Sequence, residues 1–242
     1  VSRVVEVRSP AQVQRGGRGR RDLLVGCVGI LAQLVFVAGW LTAQTWQPAG
    51  YSPVRDTISD LMAQTAPHAW VPITALMVAG AGTGVFALAG LRPALRAAGR
   101  TGAYAPWMLA LSALALGNLL SFLQIPCQSG VACSSHQAMS TFGGIQDVVG
   151  GVIVVLLLAV TPFPMARRMS AVSGWERLAR PSLLVGVVLL GCYVSMGLGA
   201  TTAVHGLLER VIATVGAGWT AVLAANLIRV GRSAELTKSP PS

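Results

Sequence analysis

The sequence predicts an all-α protein: a polytopic bundle of six transmembrane helices with a short amphipathic helix in an outer loop. Three observations carry this. The chain is 53% hydrophobic and only 11% charged, whereas a soluble globular protein is about one quarter charged. Its mean hydropathy is +0.64. Several stretches of about 20 residues lack an interior charge, the length needed to cross roughly 30 Å of hydrocarbon. Pro and Gly are dispersed, which excludes a low-complexity chain.

The apolar runs place the spans at Leu23–Thr45, Trp70–Leu91, Tyr104–Ile125, Ala138–Val160, Leu183–Ala203 and Leu207–Ile228. The segments between them alternate in charge. Arg3, Arg8, Arg15, Arg18, Arg20 and Arg21 precede the first span, and Arg92, Arg96 and Arg100 follow the second. Arg167, Arg168, Arg177 and Arg180 follow the fourth, and Arg229, Arg232 and Lys238 follow the sixth. Of the 18 basic residues only Arg55 and Arg210 fall on the other side. By the positive-inside rule both termini are cytoplasmic, in a multi-pass protein of the cell membrane. The net charge of +10 then reads as a basic face toward an anionic leaflet. No basic stretch is interleaved with stacking aromatics, so nucleic acid is not an expected partner, and membrane lipids are. Nothing in the pattern specifies an oligomer.

The first span follows a basic stretch but is too long for a signal-peptide core, and it reads as a signal anchor. The expected organisation is a cytoplasmic basic tail (1–22), a membrane domain (23–229) and a cytoplasmic tail (230–242). Residues before about Gly19 and after Ser233 look polar and disordered. Small residues should mediate helix packing: Gly80, Gly82 and Gly84 in the second span, with Gly80/Gly84 as a GxxxG pair, Gly143, Gly144, Gly150 and Gly151 in the fourth, and Gly191, Gly197 and Gly199 in the fifth.

Most of the chemistry is expected at the outer face. His68, His136 and His205 all precede spans there. In the first outer loop Ser52 suits an N-cap and Pro53 the first helical position. Val54, Ile58, Leu61 and Met62 would then share one face, with Asp56, Ser59 and Asp60 opposite. Two acids four residues apart offer paired carboxylates to a metal, a cation or a proton relay. Equally, they serve as caps and ion-pair partners of Arg55 or Arg210.

In the fourth span His136, Ser140, Gly143, Gly144 and Asp147 recur at helical spacing. At about 100° per residue, Asp147 returns within about 20° of His136 and lies roughly 16 Å below it. An ionisable residue at that depth faces the bundle interior or a water-filled cavity. Asn118, Ser121 and Gln124 of the third span are positioned to line the same cavity. The alternative is a buried, hydrogen-bonded carboxyl that locks helices together. In the last outer turn His205 and Glu209 share a face, and Arg210 can pair with an outer acid or snorkel to the interface. HExxH, GxSxG, P-loop and CxxC motifs are absent.

Cys27 and Cys192 lie within spans. Cys127 and Cys133 bracket a short outer segment and form a natural disulfide pair there; metal ligation with His136 is the alternative.

The stretch Gln47-Pro48 … Tyr51-Ser52-Pro53 … Asp56-Thr57-Ile58-Ser59-Asp60-Leu61 resembles the first outer loop of the bacterial and archaeal membrane proteins grouped as domain of unknown function 998. Pro126-Cys127, the His136 loop and Gly206-Leu207-Leu208-Glu209-Arg210 are also similar. The resemblance covers roughly Leu23 to Arg229 and implies a six-helix membrane bundle; it carries no established activity. A weaker similarity is to alkaline-ceramidase and progestin-receptor-like membrane hydrolases, which implies Ser59, Asp147 and three His around zinc. Here the last span lacks their HxxxH pair, and the span count is six rather than seven.

These readings favour a protein that binds a small or lipidic ligand in an outward-facing polar cavity. The site residues would be Asp56, Ser59, Asp60, His136, Asp147, His205, Glu209 and Arg210. The alternatives are a metal-assisted enzyme acting on a lipid or isoprenoid at the outer leaflet, and an accessory membrane interaction protein. Neither catalytic residues nor a cofactor is specified by the pattern, with zinc possible but not favoured.

Overall fold

The computed structural model describes residues 10–96, 104–128, 137, 139–197 and 202–236. Among them it is helical without strands, and six helices are long and apolar enough to cross a membrane. They are α1 (Gly19–Trp46), α2 (Trp70–Leu95), α3 (Ala105–Phe122), α4 (Phe142–Met169), α5 (Glu176–Gly197) and α6 (His205–Ser233).

Consecutive helices pack as neighbours, and α1 also packs along α6, which closes the ring. Phe36 and Trp40 of α1, Leu76 and Phe86 of α2, Leu114 of α3, Leu158 of α4 and Leu223 of α6 meet in its interior. Leu34, Leu184, Val187 and Val222 point outward, as lipid-facing side chains of a span do. Lipid offers no hydrophobic drive for helix association, so close backbone approach matters more. A Cβ on Gly82 would lie 2.9 Å from the Ala32 Cβ of α1, and one on Gly80 would lie 2.6 Å from the Ala115 carbonyl of α3. Gly84 faces open space, so the expected Gly80/Gly84 pair works at one position only. Gln33 of α1 donates to the Thr83 hydroxyl of α2 at 2.8 Å.

The ends of the helices differ from the apolar runs. The first helix already begins at Pro10 and the last continues to Leu236, where polar tails were expected. Once a span has nucleated a helix, each further residue adds a bond at little cost. α5 starts at Glu176 instead of Leu183 for a related reason: Arg177 and Arg180 mark where hydrocarbon ends, not where the helix does. α4 starts at Phe142 instead of Ala138. Thr141 is its N-cap, with the hydroxyl accepting from Gly144 N at 3.1 Å.

Three spans are irregular, and α2 makes a wide π-type turn over Phe86–Leu91. α3 breaks at Ser112, whose backbone is extended, and resumes as a wide π-type turn over Ala113–Gly117. α4 makes a similar turn over Gln146–Gly150. Such turns concentrate at functional sites.

Candidate functional site: a polar junction under the α1–α2 loop

The α1–α2 loop is shaped by α6 rather than by its own periodicity. Ser52–Asp56 forms a turn in which Asp56 N donates to Ser52 O at 2.7 Å and Ser52 N to the Asp56 carboxylate at 2.7 Å. A helix starting at Pro53 would then use the carbonyls of Val54 and Arg55 for Ile58 and Ser59. Those carbonyls instead accept from Leu207 N (2.9 Å) and Gly206 N (3.1 Å). They thereby satisfy donors that the first turn of any helix leaves without partners. The expected amphipathic helix is thus reduced to a 3-10 turn over Ser59–Met62, folded inward with Asp60 and Leu61 fully buried. Val54 is left exposed.

Gly206 is required at this contact, since a Cβ there would overlap the Asp56 carbonyl. Arg210 completes the clamp. Its Nη1 donates to Asp56 O (2.7 Å) and Gly206 O (2.9 Å), and its Nη2 to the Tyr51 hydroxyl. The guanidinium lies over the Trp40 and Tyr51 rings, 5.8 and 6.0 Å from their centroids. Burial pushes the Tyr51 phenol up to about 12, against the nearby Arg210 charge, which pulls it down. Asp56 pairs with Arg55 at 2.7 Å. The Asp60 carboxylate accepts from Thr57 N and Thr57 Oγ1, both at 2.8 Å. Asp56 and Asp60 therefore do not present paired carboxylates to a ligand. Each closes its own turn.

Beneath the loop a second polar group converges. Glu209 accepts from Ile58 N at 2.7 Å. Ser59 Oγ donates to Asp147 at 3.3 Å and also lies 2.9 Å from Thr57 Oγ1. Ser59, Asp147, Gly151, Val155 and Glu209 form a wall common to two spaces. One is a cavity of about 140 Å³ inside the ring, with Asn118, Ser121 and Gln124 of α3 and Gln146 of α4 among its lining. The other is a cleft of about 580 Å³ between α4, α5 and the start of α6, with Thr57, Tyr193 and His205 on its walls. Gly143 seats α4 against the end of α3, where a Cβ would overlap the Gln124 carbonyl.

The structure thus divides the expected site. It brings Ser59, Asp147, His205 and Glu209 together, and the amide and hydroxyl side chains of α3 line the cavity as anticipated. Asp56 and Arg210 belong to the clamp and Asp60 to the Thr57 turn, and none of the three lines either space. His136 and Cys133 lie outside the described residues. The His136–Asp147 alignment does not hold as drawn, because α4 starts only at Phe142. Asp147 is five residues below that start, or about 8 Å at 1.5 Å per residue, and Ser140 precedes the helix. His68 packs edge-on against Trp46 with centroids 5.9 Å apart, lining neither space. Among the described residues no three His, Cys, Asp or Glu side chains converge as metal ligands. Of the serine, aspartate and three-histidine set of the weaker resemblance, Ser59, Asp147 and His205 line the cleft, and His68 lies apart from it. Thr57, Gln146 and Tyr193 were not singled out in the sequence. Tyr193 carries the one available signal, a phenol inside an apolar span.

A family model described as "Protein of unknown function (DUF998)" matches residues 30–226. The chain belongs to this family. No curated protein and no solved structure matches it. The matched DUF998 region runs from α1 into α6, so it contains the loop, the clamp and both polar spaces.

Proposed function

We propose that this DUF998 protein binds a small or lipidic ligand at the polar junction beneath the α1–α2 loop. One observation carries the reading: Ser59, Asp147 and Glu209, from three separate elements, form a common wall of the inner cavity and the cleft. Ionisable side chains within spans are costly and mark ligand, ion or proton sites. The cleft volume falls within the roughly 300–1,000 Å³ of ligand pockets. In the orientation favoured by the Arg distribution, both termini are cytoplasmic and the junction opens to the extracytoplasmic side.

The Cys127–Cys133 disulfide belongs to the same reading. Cys127 is buried, and Gln128 beside it fixes the chain by donating from N to Thr65 Oγ1 (3.0 Å) and from Nε2 to Gln47 (2.7 Å). Cys27 and Cys192 are free thiols elsewhere in the spans.

Native mass spectrometry of the detergent-purified chain tests the binding reading. An adduct of defined mass should accompany the wild type and be depleted in the Asp147→Asn, Glu209→Gln double variant. If both proteins carry the same mixture of bulk membrane lipid and nothing else, the reading is wrong.

A further inference from the structure

We propose that the cleft takes a long-chain primary amine, with its ammonium at Asp147 and Glu209 and its hydrocarbon chain leaving sideways between α4 and α5. This rests on the ligand-binding reading above and adds the ligand's charge and its route.

The route follows from helix packing. α5 packs on the Gly151–Val160 part of α4, and Tyr193 Oη donates to Val152 O at 3.3 Å across that seam. Toward the loop, past this bridge, the space between the helices is the cleft. Its walls there are Val148, Val152, Val194 and Met196. Val148, Val152 and Val194 are each about half exposed, at 45%, 53% and 48%. In helices that span a membrane such exposure is to lipid, so the mouth of the cleft meets acyl chains. A ligand that reaches the polar wall through it has an apolar body.

The head group follows from charge. Among the described residues, neither space is lined by Lys or Arg. The nearest guanidinium in sequence, Arg210, is turned to Asp56 O, Gly206 O and Tyr51. The described bonds occupy one oxygen of each junction carboxyl: Ile58 N at Glu209 and Ser59 Oγ at Asp147. A phosphate or carboxylate head would be placed against two acids with no Lys or Arg among the described lining residues. A primary ammonium carries three donors and no acceptor. It therefore suits two carboxyls and the hydroxyls of Thr57 and Ser59. An aliphatic amine, with a pKa near that of Lys (about 10.4), is charged at neutral pH.

Photolabelling of the full chain in phosphatidylcholine nanodiscs tests this. Three probes of equal chain length carry a diazirine on the chain and end in a primary amine, a carboxylate or a hydroxyl. The amine should label α4 and α5 peptides saturably, and excess unlabelled amine should displace it. The Asp147→Asn, Glu209→Gln double variant should cut that labelling about tenfold or more, as expected for loss of charge-assisted hydrogen bonds. Gly151→Leu is the second variant. Gly151 lines both spaces, and an added Cβ meets nothing within 4 Å, so a Leu side chain starts into the open junction and should also abolish labelling. Gly191→Ala, at another open glycine on α5, should label as the wild type does. Equal or stronger saturable labelling by the carboxylate probe overturns the amine assignment and leaves the ligand-binding reading standing. Absence of saturable labelling by all three probes overturns both.

Discussion

Replacing Arg210 with Met measures how strongly one guanidinium holds the α1–α2 loop on α6. Arg210 is only 8% exposed. Met keeps much of its apolar volume and removes every donor. Gly206 O loses little, because within α6 it remains an acceptor of the helix ladder. Asp56 O and the Tyr51 hydroxyl lose their described long-range donor. The cation over the Trp40 and Tyr51 rings is lost as well. Polar contacts between membrane helices average about 0.6 kcal/mol and reach about 1.7, hydrogen bonds to charged groups in soluble proteins about 1.5–3, and a cation over a ring about 0.5–1. With two bonds and two ring contacts, Arg210→Met should cost about 2–4 kcal/mol. Arg210→Lys keeps the charge but not the planar fork and should retain roughly half of that. Thermal unfolding in detergent gives the stability, and hydrogen exchange over residues 54–61 gives the loop. Exchange should quicken at Ile58, whose amide is bound to Glu209 one residue from the substitution. If Arg210→Met unfolds like the wild type and leaves exchange over 54–61 unchanged, the clamp is not what holds this loop.

Three further outcomes can be checked. Gly143→Ala forces a Cβ onto the Gln124 carbonyl and should destabilise by about 1–3 kcal/mol in the same unfolding assay, as overpacking does; Gly151→Ala, in open space, should be neutral or gain up to about 1 kcal/mol of helix propensity. Reporter fusions after Arg100 and Arg180 should read cytoplasmic and those after Tyr51 and Gly130 extracytoplasmic; reversal at two of these sites would overturn the orientation. Non-reducing peptide mapping should find Cys127 linked to Cys133, and replacing both with Ser should lower stability by roughly 2–3 kcal/mol; free thiols in protein from a host with an oxidising extracytoplasmic compartment would refute the pairing.

The six spans were legible because each is a long apolar run, and that signal survives almost any error in detail. Their ends were not, because Arg177 and Arg180 report the edge of hydrocarbon while the helix runs through them. The loop departs from its own periodicity for a different reason. Val54, Ile58, Leu61 and Met62 do have helical spacing, but a helix also needs the carbonyls of Val54 and Arg55, and α6 takes both. That competition spans about 150 positions of sequence and leaves no local trace. That Asp147 faces a cavity was legible from its residue type and location in a span. Its depth was not, because the start of α4 is set by Thr141 capping Gly144 N rather than by the apolar run.

The division of the outer acids into clamp and junction has a geometric origin. Glu209 and Arg210 are adjacent on α6, so their side chains leave the helix about 100° apart. One is aimed at Asp147 and the two spaces, the other at Trp40, Tyr51 and the Asp56 carbonyl. Both hold the same loop, Glu209 through Ile58 N and Arg210 through Asp56 O, two residues apart. The loop in turn supplies Ser59 to Asp147. Ser59 is thus positioned by contacts on either side of the α6 start, while the charge of Arg210 is engaged away from the cavity. The junction is therefore left with two carboxyls, hydroxyls and an imidazole. Bonding to the Asp56 carbonyl, the Gly206 carbonyl and the Tyr51 hydroxyl holds the Arg210 cation outside that lining.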